Sequence, residues 1–377
     1  MPKPAVDVPA VADAALMHSV IQRVATGPEL SKNISYDETR SVMNALLEGS
    51  ADPIQAAVFL IGLRMKRETE DEVKGVLDAL REATITAQAD VEHVVVMSDP
   101  YNGFNRTLHA SLFALPVIAA CGVSAYSHGV AAMSPKFGVT HHHILKALGG
   151  NPLRSMDEAA SRLQDPSIGW GYADQSVFCP KLHALHTLRQ KIIKRPVLST
   201  TEVMLSPIQG KSKTHLMTGY VHKPYREVYA MLARHMKYDS LLLIRGTEGG
   251  VIPSFRAKVH LVRFHGSEQQ TEHDIELAPM QLEREYRAED IPESLPAPGP
   301  GAPFGMKWDI DALATLCADK GLRALDGEQG AVFDAAVIGC ALTLWHTGHC
   351  ASLAEAADKA RAAIASGEAL KRLQAGL

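Results

Sequence analysis

Four loops of this 377-residue chain combine glycines with side chains suited to holding an anion or a metal ion. The first, Ser98-Asp99-Pro100-Tyr101-Asn102-Gly103-Phe104-Asn105-Arg106-Thr107, follows a short apolar run, Val94 to Met97. A loop that leaves the carboxyl end of a strand and leads into a helix is where α/β sheets gather ligands, because backbone N–H groups point outward there. Asn102-Gly103 supplies a sharp turn and Arg106 a guanidinium suited to phosphate. Asn102, Gly103, Arg106 and Thr107 are its candidate phosphate-binding residues. The second loop, Ser127-His128-Gly129-Val130, continues through Met133-Ser134-Pro135-Lys136-Phe137-Gly138. Here Lys136 offers a point charge to phosphate, and His128, Gly129 and Ser134 join the candidate set.

The third loop contains His141-His142-His143. Adjacent helical residues point in different directions, so these histidines cannot share one metal ion. The pairs His183/His186 and His346/His349, the latter with Cys340 and Cys350, lack a carboxylate or CxxC partner at ligand spacing. The first three are expected at a helix start or lining a cleft, and the two pairs to be structural. The fourth loop, Arg245-Gly246-Thr247-Glu248-Gly249-Gly250, follows another apolar run. Glu248 is its one acid and the candidate Mg²⁺ ligand, since Mg²⁺ in phosphate sites takes one or two carboxylates plus substrate oxygens.

The elements that must position these loops show in the hydrophobic pattern. Ser35/Glu38 and Thr69/Glu72 have capping-box spacing, and Asp52-Pro53 reads as an N-cap followed by proline at the first helical position. The helix after Pro53, IQAAVFLIGLRMK, is apolar nearly all round and is expected to be buried. After residue 88 the grammar changes. Strands are expected at Val94–Met97, Val123–Tyr126, Leu241–Ile244 and Val259–Phe264, and helices at 108–121 and 225–237. The pattern implies an α/β fold: a small N-terminal α-helical bundle, then a larger α/β domain with a central, mainly parallel sheet flanked by helices. The expected boundaries are a lead-in over 1–30, a helical domain over 31–88 and the α/β domain over 89–377. Within the last, 170–200 is expected to pack on the helical domain and 254–305 to be inserted sequence. Residues 283–303 read as an exposed connection, and 331–373 as an alanine-rich helix pair.

Hydrophobic residues make up 46% and charged residues 21%, an ordinary globular balance. The five cysteines form no CxxC pair and read as reduced thiols in a cytoplasmic protein. The first residues lack the basic start and apolar core of a signal peptide, and no apolar run is long enough to cross a membrane. Net charge is −4, so no general attraction to nucleic acid follows. Charge is uneven, however: Lys181 to Lys237 holds 11 Lys/Arg against two acids, Glu202 and Glu227. Such a segment suits an anionic partner, phosphorylated metabolite or single-stranded nucleic acid, or is simply a solvated face.

Several stretches carry a family resemblance. The segment from Tyr36 to Glu82 resembles the N-terminal helical domain of glycosyltransferase family 3, which contains anthranilate phosphoribosyltransferase and the pyrimidine nucleoside phosphorylases. GVSAYSHGVAAMSPKFG resembles the stretch with the family's Lys-His-Gly-Asn motif, which falls on Ser127–Val130. The family's Gly-Thr-Gly-Gly-Asp pyrophosphate loop falls on Ser98–Thr107, and its Asn-x-Ser-Thr element on His109, Ser111 and Leu112. Its Asp-Glu metal motif falls on Gly246–Val251. RPVLSTTEVMLSP is similar to a stretch opening with a substrate-contacting arginine, here Arg195, and the tail from Phe333 resembles the family's C-terminal helices. The Asn-Gly and Arg-Gly-Thr-Glu-Gly loops resemble those of a divergent subgroup whose members bind nucleic acid.

The resemblance implies a pentosyltransferase-like homodimer. It would bind a phosphorylated sugar, such as phosphoribosyl pyrophosphate, or a nucleotide between its domains, with Mg²⁺ as a possible cofactor and an acceptor other than anthranilate. Arg106, Lys136 and loop N–H groups would neutralise the leaving group. His128 and Arg195 would position the acceptor, and Ser111 would lie beside the pyrophosphate loop. The alternative is a non-catalytic homodimer that binds nucleic acid through 181–237, and a third reading is a sensor of a phosphorylated metabolite.

Overall fold

The computed structural model describes residues 14–27 and 29–377. Internal contacts divide the chain into two units: the part up to Thr84 with Lys181–Glu202, and Ile85–Pro180 with Val203–Leu377. Residues 1–13 and 28 of the stretch read as a lead-in lie outside the described residues, and Ala14–Val24 of it forms a helix, α1.

The first unit continues with α2 (Tyr36–Leu47), α3 (Pro53–Lys66) and α4 (Glu70–Glu82). Ser35 and Thr69 cap α2 and α4 reciprocally with Glu38 and Glu72, and Asp52 caps α3 ahead of Pro53. Each such cap satisfies end N–H groups and contributes about 1 kcal/mol. Glu72 does more than cap. Fully buried, it also accepts from the Ile34 N–H at 2.9 Å and the Lys66 ammonium at 2.7 Å, tying three segments together. The α3 helix is not buried all round as its composition predicts. Phe59, Leu60 and Leu63 face inward, whereas Ile54, Val58 and Met65 are exposed. Only one face of α3 is covered.

The second unit is built on a seven-stranded sheet. After β1 (Ala87–Gln88), the strands are β2 (His93–Ser98), β3 (Ser124–Gly129), β4 (Trp170–Asp174), β5 (Ile208–Gln209), β6 (Lys213–Gly219), β7 (Ser240–Ile244), β8 (Val259–His265) and β9 (Thr271–Ile275). The order is β4-β3-β2-β6-β7-β8-β9, and β1 pairs separately with β5. The five strands from β4 to β7 run parallel; β8 and β9 turn back antiparallel. Val94, Val95, Val96 and Met97 are at most 2% exposed, so each contributes about 1.5–3 kcal/mol through burial.

Helices flank the sheet, among them α5 (Ala114–Ala120) and α6 (His141–Ala147). The helix expected over 108–121 begins only with a tight turn at Ser111–Phe113. The tail forms three helices rather than two, Ala331–His346, Leu353–Ala365 and Glu368–Gly376. The first of these is apolar all round and nearly wholly buried, as a helix of that composition must be. The 254–305 stretch supplies β8 and β9 to the sheet. No helix among the described residues is long and apolar enough to cross a membrane, and all five cysteines are buried and unbridged.

Candidate functional site

Parallel strands end together, so the loops after β2, β3 and β7 emerge on one edge of the second unit. Hydrogen bonds join them. Phe104 and Val139 exchange backbone bonds at 3.0 and 2.8 Å, and the Gly138 N–H reaches the Asn102 carbonyl at 3.0 Å. The approach is close enough that a Cβ on Gly103, whose φ is +71°, would lie 2.4 Å from the Gly138 carbonyl oxygen. From the β7 side, the Val251 N–H donates to Asp99 at 2.9 Å.

At this junction the donors of the loops after β2 and β3 converge on a carboxylate from the loop after β7. Glu248 accepts from the backbone N–H groups of Asn105 (3.4 Å), Arg106 (2.9 Å) and Thr107 (3.0 Å), and from the Thr107 hydroxyl at 3.3 Å. The Lys136 ammonium closes the ring at 2.6 Å while also donating to the Gly103 carbonyl at 3.1 Å. The Glu248 side chain is only 3% exposed. Burial pushes its pKa up, but Lys136 and the Arg106 and Thr107 N–H groups outweigh that and hold it below the ordinary value. Successive N–H groups aimed at one point form an anion-binding concavity.

Beside this nest lies a buried polar chain. Asp99 accepts the Ser111 hydroxyl at 2.5 Å and His109 Nε2 at 3.2 Å. Ser111 in turn meets His141 Nε2 at 2.9 Å, and Ser127 meets His141 Nδ1 at 2.7 Å. Burial would raise the Asp99 pKa; the bond and charge of His109 and the Ser111 hydroxyl bring it down to about 2. Burial keeps His141 neutral. The three adjacent histidines diverge as helical geometry requires: His142 Nδ1 pairs with Asp174 at 2.8 Å, and His143 Nδ1 accepts from the Thr140 N–H at 3.2 Å.

Residues 18–84 match the helical bundle domain of the glycosyl transferase family. An uncharacterized protein of Aquifex aeolicus (strain VF5) is 29% identical over 59% of this chain and 65% of its own length. The anthranilate phosphoribosyltransferase of Rhodopseudomonas palustris (strain BisA53) is 25% identical over 94% of this chain and 95% of its own. The chain is similar to anthranilate phosphoribosyltransferases along nearly its whole length. Its fold agrees: the anthranilate phosphoribosyltransferase of Saccharomyces cerevisiae in complex with PRPP and Mg superposes with a TM-score of 0.72 at 14% identity, covering 96% of both chains.

The candidate residues fall into separate groups. Arg106 and Thr107 contribute backbone N–H groups to the nest, whereas the Arg106 side chain is exposed. Lys136 faces the nest directly. Gly103 and Asn102 shape the loop: Gly103 through its backbone conformation, Asn102 through its carbonyl. Ser111 belongs to the Asp99 chain. His128 is buried within β3, where the Tyr101 hydroxyl hydrogen-bonds its Nδ1, and burial lowers its pKa to about 3. Gly129 ends β3 with Tyr172 packed against it, and Ser134 is buried in the loop before Lys136. Arg195 belongs to the helical unit, at an exposed position. The residue roles that sequence reasoning missed are Asp99 and His109, whose signal was only an acid and a histidine in the same loop region.

Glu248 does not fit the metal role expected of it. Both its oxygens receive donors, one of them a cation, and a metal ion would be repelled by the same groups. Asp99, His109 and His141 also offer ligand atoms within 4.8 Å of one another. Yet the two imidazoles stack 4.3 Å apart at 21°, so one ion cannot lie in the plane of both rings, where their lone pairs point. Ser111 already bridges Asp99 and His141. These carboxylates therefore do not fit Mg²⁺ as they stand.

The basic 181–237 stretch does not form one exposed run either. It is shared between the two units, and Lys181, Arg189, Lys211 and Arg226 are in ion pairs with Glu48, Glu202, Asp90 and Glu272. Beside the β7 loop lies a hollow of about 330 Å³, bordered by Thr247, Ser254 and three cations, Arg245, Lys258 and Arg287.

Proposed function

We propose that this chain is a pentosyltransferase-like protein that receives a phosphorylated sugar, of the phosphoribosyl pyrophosphate type, at the carboxyl edge of its parallel sheet. One observation carries the reading: three consecutive backbone N–H groups, the Thr107 hydroxyl and Lys136 converge on a single anionic group. Transfer of a pentosyl group breaks the C1–O bond to phosphate, and the protein's part is to hold and neutralise the departing oxygens. Preorganised N–H groups and an ammonium supply that without a metal carboxylate pair. The hollow beside the β7 loop, with its three cations, is of ligand size and suits the rest of an anionic substrate. Replacement of the family's Lys-His-Gly-Asn motif by Ser127–Val130 supports an acceptor other than anthranilate.

The test is calorimetric titration with phosphoribosyl pyrophosphate, with and without Mg²⁺, up to roughly 1 mM, the upper end of ordinary substrate constants. Saturable heat that is lost in Lys136→Met supports the reading, and pyrophosphate release on adding a pool of aromatic amines and bases supports transfer. Absence of heat in both conditions sinks it.

Self-association as a homodimer belongs to the same proposal. Ile54, Val58 and Met65 lie on one stripe of α3 and are 75%, 37% and 72% exposed. An apolar stripe of this kind suits a second copy of the helical unit. Light scattering should report a dimer in the wild type and a monomer in Ile54→Glu/Met65→Glu.

A further inference from the structure

We propose that Glu248 is a resident stand-in for phosphate: the chain closes its own anion nest, and a phosphorylated ligand enters only by displacing this carboxylate. The proposal rests on reading the nest as the ligand site, and adds how that site is regulated.

Three observations support it. The donor set is matched to an anion, since Glu248 takes up the N–H groups of residues 105–107, the Thr107 hydroxyl and the Lys136 ammonium. A carboxylate presents two oxygens where phosphate presents three, so the same donors serve either group. Next, the β7 loop is shaped to deliver the side chain. Glu248 has φ +54°, a left-handed conformation that costs a non-glycine residue about 1–2 kcal/mol. Glycines on either side permit it: a Cβ on Gly246 would lie 1.6 Å from the Gly250 carbonyl oxygen, and one on Gly250 would lie 2.5 Å from Asp99. Finally, glycines at 246, 249 and 250 flank the residue that carries the plug.

The consequence is quantitative. When a site is open only a fraction of the time, apparent affinity falls by that fraction. Removing the carboxylate leaves Lys136 and the N–H groups without their anion, and a phosphate from solution then meets no competitor.

Inorganic pyrophosphate is titrated by calorimetry into the wild type, Glu248→Gln and Glu248→Gly. Glycine suits the positive φ, and glutamine keeps the size while removing the charge. Both variants should bind pyrophosphate at least about tenfold more tightly than the wild type, and adding Lys136→Met to Glu248→Gly should abolish the gain. Native-like melting with unchanged pyrophosphate affinity in both variants overturns the proposal. So does failure of both to fold, which would make Glu248 a structural strut. Parallel titration with phosphoribosyl pyrophosphate separates the two readings. Pyrophosphate binding gained without sugar pyrophosphate binding keeps the plug and removes the substrate. Saturable sugar pyrophosphate binding indifferent to Glu248 does the reverse.

Discussion

The Ser111 hydroxyl sits 2.5 Å from Asp99 and 2.9 Å from His141, linking a buried carboxylate to a buried neutral imidazole. Its own proton goes to Asp99, so it accepts from His141 Nε2–H, and His141 Nδ1 accepts from Ser127. The chain of donors therefore runs in one direction, from Ser127 to Asp99. Ser111→Ala removes the middle member and leaves two buried groups short of a partner, at a cost of about 1–3 kcal/mol. Asp99→Asn removes the only carboxylate in the chain and costs about 3 kcal/mol or more. Urea unfolding of both variants measures this; equal stability for Asp99→Asn and wild type would show that the charge is not needed.

Gly103 tests the loop geometry. With φ +71° and backbone 2.4 Å from its would-be Cβ, Gly103→Ala meets both left-handed strain and a steric clash. The expected loss is about 3 kcal/mol, together with loss of anion binding. Gly122→Ala is the control: its φ is +90° but nothing lies within 4 Å, so it should cost about 1 kcal/mol and leave binding unchanged.

Acid should destabilise the protein well above the carboxylate range. Burial lowers His128 and His143 to about 3 and His215 to about 4, from the ordinary value of 6.5. Between those values and 6.5 the unfolded chain binds protons that the folded chain does not. Stability therefore falls as pH drops below 6.5, by about 1.4 kcal/mol per pH unit for each histidine, and is flat above. Asp99 adds a further loss as pH falls from 3.8 toward about 2. Chemical unfolding at pH 7.5, 6.5, 5.5 and 4.5 reads the slope. A flat profile down to 4.5 would mean that these imidazoles protonate freely in the folded protein.

In the helical unit, Arg189 and Glu202 form a fully buried bidentate pair at 2.6 and 2.7 Å. Arg189→Met removes the bidentate partner of a buried carboxylate and should cost about 3–5 kcal/mol, whereas Arg189→Met/Glu202→Leu should recover most of it. Thermal melts of the single and double variants check the cycle; a double variant as unstable as the single would assign the loss to packing.

Local grammar was enough for the helices capped by Ser35, Asp52 and Thr69 and for the apolar runs of β2 and β7, because caps and burial patterns are set by residues within a few positions of one another. It was not enough for β4 and β6. Their sequences, WGYAD and KTHLMTG, mix glycine and polar residues that pair only because neighbouring strands cover them. Nor did composition show that α3 would leave one apolar stripe exposed, since that depends on which neighbours pack against it.

By itself, the sequence determined the helical bundle, the α/β class and the glycine loops at strand ends. Only the tertiary structure decided which anion faces them. Thr107 and Glu248 are 141 positions apart, and no local pattern distinguishes a glutamate that holds a metal from one that fills a nest of N–H groups. That choice depends on which loops parallel strands bring to the same edge, and on burial, which favours a carboxylate only where donors already surround it.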